Sequence, residues 1–99
     1  DSHKVTPELV LDVVSDHFNV PVSELKGSRR NARTAGARQI VMYLCRQMTD
    51  ASLQSIGDLL GGRDHSTVNH GVDKIARDVE KDETLRNTIE IIQKKISPL

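Results

Sequence analysis

Apolar residues along the chain recur at intervals of three and four, punctuated by Pro, Gly and capping side chains, and this pattern predicts five to six helices with no convincing strand. Leu9, Val10, Val13, Val14 and Phe18 fall on one face of a first helix. Thr6 opens it as N-cap, Pro7 takes the first helical position, and Glu8 sits near the positive end of the dipole. The stretch from Val20 to Gly27 is too short for more than a turn or two and reads as a tether. Ser28 to Thr34 is polar and basic and reads as a loop, followed by a long helix from about Ala35 to Met48. Ile40, Val41, Leu44, Cys45 and Met48 form the buried face of that helix, which sets Arg38 and Arg46 outside the stripe, toward solvent or a partner. Ser52 to Leu60 reads as a short amphipathic helix. Beyond it, Val68, Val72, Ile75, Ala76 and Val79 require a helix of roughly four turns. Asp82 is placed to cap a last helix whose stripe is Leu85, Ile89, Ile92 and Ile96, stopped by Ser97-Pro98.

Between the fourth and fifth apolar runs lies the most informative segment, Gly61-Gly62-Arg63-Asp64-His65-Ser66-Thr67-Val68-Asn69-His70. A helix-breaking Gly pair precedes a helix that opens with polar side chains, and two short-linked helices of this kind make a helix-turn-helix. Asp64 suits the N-cap of the second helix, which by itself accounts for its presence. The side chains that follow offer what a major groove requires. A carboxylate accepts from an exocyclic amine, a Thr methyl packs on a thymine methyl, and His donates to a purine acceptor. The same residues are also consistent with an ordinary capped helix bearing a solvated polar face. Neighbours on one helical turn point in different directions, so Asp64, His65 and Ser66 do not align as a hydrolase triad. His65 and His70 are five apart and lack the company of a zinc motif. The reading is therefore of a binding module, neither an enzyme nor a metal protein.

Composition adjusts this picture in three ways. With 99 residues and only Phe18 and Tyr43 aromatic, one small core of Leu, Ile, Val and Ala is expected, and a base-stacking platform for single strands or RNA is disfavoured. Residues 1–5 read as a linker or appended segment and 6–99 as one all-α, Trp-repressor-like domain. The single Cys45 lies in an apolar stripe and reads as a reduced, buried thiol, which together with the lack of a long apolar run or a secretory leader suggests a cytoplasmic location and no membrane contact. Net charge is +0, yet from Leu25 to Thr49 there are six bases (Lys26, Arg29, Arg30, Arg33, Arg38, Arg46) and no acid, so one face is expected to be basic enough for phosphate contacts. Arg29, Arg30 and Arg33 flank the expected loop, where any of them is placed to enter a minor groove or to remain a flexible charged surface.

The stretch Ile56 to Val68, with His70 and Lys74-Ile75 beyond it, resembles the signature of the C-terminal DNA-binding domains of the bacterial DnaA replication initiators. The likeness extends through Arg30, the Ala37-Arg38-Gln39 segment and the Thr49-Asp50-Ala51-Ser52-Leu53 loop, and covers most of residues 6 to 97. The resemblance implies sequence-specific binding, one monomer per box, to short nine-base-pair boxes at the chromosomal replication origin in the bacterial nucleoid. It assigns base contacts in the major groove to Asp64, His65, Thr67 and His70, with Ser66 close by, and a minor-groove contact to Arg30. Phosphate contacts are implied for Arg38, Gln39, Arg46, Leu53 and Gln54. It also implies no cofactor here, since no phosphate-binding Gly-Lys-Ser/Thr loop is present and ATP is bound elsewhere in such initiators. Asn69 stands where an aliphatic residue is usual, Gly71 where Ala or Ser is, and Gln54 where Pro is frequent. The first two are expected to affect the rigidity and packing of the helix, where Gly costs about 0.5–1 kcal/mol relative to Ala. The alternative function is a helical module that docks a regulatory protein of initiation, and such a surface needs an exposed apolar patch.

Overall fold

The computed structural model describes residues 4–28 and 31–98, and within them every regular element is an α-helix. They are α1 (Pro7–Phe18), α2 (Val22–Lys26), α3 (Ala32–Met48), α4 (Leu53–Leu59), α5 (His65–Lys81) and α6 (Glu83–Ile96). Local chemistry accounts for most boundaries. The side chain of Thr6 accepts from the Leu9 amide, that of Ser52 from Ser55 and that of Asp82 from Leu85, so one orphan amide in each of three first turns is satisfied by a side chain three residues before it. Asn19 ends α1 in the left-handed region at φ 57°, a conformation that Asn tolerates better than most side chains.

The long helix α3 starts at Ala32, three residues earlier than its apolar pattern suggests. Asn31 is the reason: its side-chain oxygen accepts from the Thr34 amide at 2.8 Å, and a capped first turn needs no apolar residue. Arg33 therefore lies in the first turn of α3, where it donates to the Phe18 carbonyl, and not in a loop. Arg29 and Arg30 lie outside the described residues.

Helix α3 is the centre of the packing. Helix α5 crosses it with the largest contact, α1 lies against another side, and α6 closes over α1 and α5. Val41, Leu44 and Cys45 of α3 meet Val10 and Val14 of α1, Ile56 and Leu60 of α4, Val68 and Ile75 of α5, and Ile89 and Ile92 of α6 in one buried cluster. Each such side chain contributes about 1.5–3 kcal/mol by leaving water. Burial pushes the Cys45 thiol up to about 12, with the Glu8 carboxylate adding in the same direction. Gly71 has a packing role: a Cβ there would stand 2.4 Å from Met42 Sδ and 3.4 Å from Gln39 Cγ, so the missing side chain lets α5 approach α3 closely. Among the described residues no helix is long and apolar enough to cross a membrane.

Candidate nucleic-acid interface

The turn between α4 and α5 is fixed by backbone. The Gly57 carbonyl accepts from three amides: Leu60 at 3.2 Å, Gly62 at 2.9 Å and Arg63 at 3.0 Å, curling the chain back over the end of α4. Room for that curl exists only because residue 57 has no side chain, since a Cβ would lie 1.9 Å from the Arg63 carbonyl oxygen. Gly61 and Gly62 both have positive φ, 86° and 89°. Gly61 also presses on the end of α2, with its virtual Cβ 2.0 Å from the Lys26 carbonyl oxygen. The helix-breaking pair in the sequence is thus a required left-handed turn that also docks on another element.

Two buried or half-buried guanidinium groups reinforce that junction. Arg38 is only 7% exposed. It donates from Nε to the Leu25 carbonyl at 2.9 Å and from Nη2 to the carbonyls of Glu24 at 3.0 Å and Gly27 at 3.3 Å. Arg63 donates to the carbonyls of Leu60 and Gly27. Burial lowers the pKa of both arginines, and for Arg38 the nearby Arg63 charge adds to the effect. The expectation of a solvent-facing Arg38 is therefore corrected: the side chain is enclosed against the last carbonyls of α2, where a cation complements the negative helix end. Sequence reasoning passed over Arg63 as an anchor. The signal for Arg38 was present, because position 38 lies three before Val41 and seven before Cys45, on the buried stripe itself.

Immediately after this junction the chain presents a free surface. Asp64 caps α5, its Oδ1 accepting from the Thr67 amide at 2.9 Å. That amide, together with the Thr67 hydroxyl, holds the Asp64 carboxyl below its usual range, so it is an anion at neutral pH. Asp64, His65, Ser66, Thr67, Asn69 and His70 are exposed, whereas Val68 is fully buried and Gly71 is buried. The first two turns of α5 are thus bolted down along one line and bare on the rest. Asn69, expected to affect packing, faces solvent.

The residues assigned to phosphates are dispersed. Arg46, exposed near the end of α3, donates to the Ala51 carbonyl at 3.0 Å. The Thr49 hydroxyl donates to the Cys45 carbonyl at 2.6 Å and accepts from the Ala51 amide at 3.1 Å, so the loop into α4 is tied to α3. These contacts bring Arg46 beside the loop that leads to Leu53, which is half-buried on the core, and Gln54, which is exposed. Gln39 is half-buried alongside Gly71 of α5. Of the six bases between residues 25 and 49, Lys26, Arg33 and Arg46 are exposed, Arg38 is enclosed, and Arg29 and Arg30 are outside the described residues.

Comparison with known proteins adds an independent line. The model of a family described as the bacterial dnaA protein helix-turn-helix matches residues 7–75, from the start of α1 into α5. The chain is 48% identical over 94 residues, 95% of its length, to the chromosomal replication initiator protein DnaA of Lachnoclostridium phytofermentans, and spans 21% of that protein. It is similar to a crystal structure of a DNA replication initiation factor with a TM-score of 0.78 and 27% identity, over 91% of this chain and 28% of that one.

Proposed function

Because the chain belongs to the bacterial DnaA helix-turn-helix family, we propose that it reads short nine-base-pair boxes in duplex DNA at the replication origin during initiation. The observation that carries this reading is the tip of α5. Asp64, His65, Ser66, Thr67 and His70 are exposed on a helix whose opposite side is locked at Val68 and Gly71, the arrangement a major-groove helix needs. Asp64 is an anion and accepts from the exocyclic amine of cytosine or adenine. The His and Thr side chains supply donors and methyl contact. Arg46 and the start of α4 at Leu53 and Gln54 grip phosphates, Gln39 supports them from beside α5, and Arg30 takes the minor groove. Arg38 holds the backbone of the residue 24–27 segment and reaches DNA only through it.

A docking surface for a regulatory protein needs an apolar patch. Among the described residues the one exposed large hydrophobic is Ile91, 50% exposed on α6, which favours the DNA reading. The same reading takes one monomer per box, with ATP bound elsewhere in a longer protein. Fluorescence anisotropy of a labelled box duplex against a scrambled duplex, at two salt concentrations, tests it. About five phosphate contacts give a slope of log affinity on log salt of roughly −4 to −5. Box preference with that slope is expected, and equal affinity for both duplexes overturns the proposal.

A further inference from the structure

We propose that Asn69 is a further base-reading residue and that its carboxamide recognises an adenine in the major groove. The inference rests on α5 being the recognition helix. Each helical residue advances by roughly 100°, so positions 65, 66, 69 and 70 share one strip away from the line buried at Val68, Gly71 and Ile75. Asn69 is exposed, four residues after His65 and three after Ser66, and helical side chains lean toward the N-terminus. Its amide therefore lies over the same surface that His65 and Ser66 present. Among the described residues no protein group takes up that carboxamide. On the following turn the strip carries Asp73, whose charge repels phosphate, so Asn69 and His70 form the far edge of the reading surface.

The chemistry selects the base. Asn presents a donor and an acceptor side by side, and adenine presents their complement: Nδ2–H donates to N7 while Oδ1 accepts from the N6 amino group. Guanine offers two acceptors in the same place and cytosine only a donor, so neither satisfies both atoms. A short side chain reaches a base edge only near the helix tip, and residue 69 lies in the second turn of α5.

The test is a set of box duplexes in which each adenine in turn is replaced by 7-deazaadenine, which pairs normally but lacks the N7 acceptor. These are titrated against the wild-type chain, Asn69→Ala and Asn69→Asp. The wild type is expected to lose about 3- to 10-fold at one particular adenine, the worth of one hydrogen bond. Asn69→Ala loses about 5- to 150-fold on the unmodified box and no longer distinguishes deazaadenine at that position, while its responses at the other adenines persist. Asn69→Asp shifts the preference there toward cytosine. Because residue 69 is exposed, both variants keep the wild-type unfolding midpoint. A box preference that survives in Asn69→Ala with an unchanged deazaadenine profile overturns the role of Asn69 and leaves α5 as the reader. A wild type with no preference for the box over the scrambled duplex overturns both.

Discussion

The turn from Gly57 to Arg63 and the helix tip from Asp64 to His70 adjoin in sequence and are built in opposite ways. In the turn, backbone does the work: three amides converge on the Gly57 carbonyl, two glycines adopt positive φ, and Arg38 and Arg63 share the Gly27 carbonyl. In the tip, the backbone is an ordinary helix capped by Asp64, and the outward-facing side chains other than those of Asp64 and Thr67 are left to solvent. The contrast teaches that stability and specificity are stored in different atoms. A reading surface needs its frame held within a fraction of an ångström and its reading groups with donors or acceptors to spare, as the Asp64 carboxylate has beyond the bond from the Thr67 amide. Substitutions in the turn should therefore unfold the domain without changing its base preference, and those in the tip should do the reverse.

The largest expected effect lies at Gly57 and Gly61. Ala at either position puts a Cβ about 2 Å from a backbone oxygen, which no side-chain movement relieves. Each should lose about 3 kcal/mol or more in urea unfolding. Gly62→Ala shares the positive φ but meets no atom within 4 Å, and its loss should be about 1–2 kcal/mol. Similar losses at Gly61 and Gly62 would show that φ alone, not the docking of the turn, sets the cost at that pair.

Next is Arg38→Met, which keeps the buried stem and removes three hydrogen bonds to carbonyls, of which that of Gly27 keeps Arg63 and that of Glu24 keeps the Gly27 amide, while that of Leu25 loses its donor. About 2–3 kcal/mol of stability should go. The salt slope of box binding should stay at its wild-type value, whereas a phosphate contact through Arg38 would lower it by about 1. Arg46→Ala is the complement, with wild-type stability and the slope reduced by that amount.

Asp64 belongs to both regions and separates them by pH. Asn caps nearly as well as Asp but carries no charge. The folded carboxyl of Asp64 is held below its usual value, so the stability it adds is present above about pH 4, the unfolded value, and disappears as pH falls through the lower folded value. Wild type and Asp64→Asn should therefore converge in unfolding midpoint on acidification, while at neutral pH Asp64→Asn alters base discrimination. A difference that persists at low pH would contradict the charge-based account. The smallest effect is expected at the exposed Lys74–Asp78 pair on α5, where Lys74→Ala should leave both stability and specificity unchanged within error.

How much of this was legible in the sequence depends on reach. The caps at Thr6, Asp64 and Asp82 bond three residues ahead, and the stripes of α5 and α6 repeat within a turn, so local spacing was sufficient to place them. The start of α3 was misread because Arg33 and Thr34 are polar, although Asn31 as a cap explains them. The anchors were hidden for a different reason. Arg38 bonds carbonyls 11 to 14 residues away and Arg63 one 36 residues away, and no periodicity encodes such partners. For Arg38 the rule that charge faces water overrode a spacing that placed it inside. The free strip at the start of α5 was visible as a polar run between Gly62 and Val68, whereas the inclusion of Asn69 needed its exposure.

The division of labour is tested most directly by the ratio of box to scrambled-duplex affinity, measured by anisotropy under one salt condition for wild type, His65→Ala and Arg46→Ala. His65→Ala should lower the ratio by about 5- to 150-fold, and Arg46→Ala should weaken both duplexes alike and leave the ratio intact. Equal losses on both duplexes for His65→Ala would contradict the claim that the tip of α5 reads sequence.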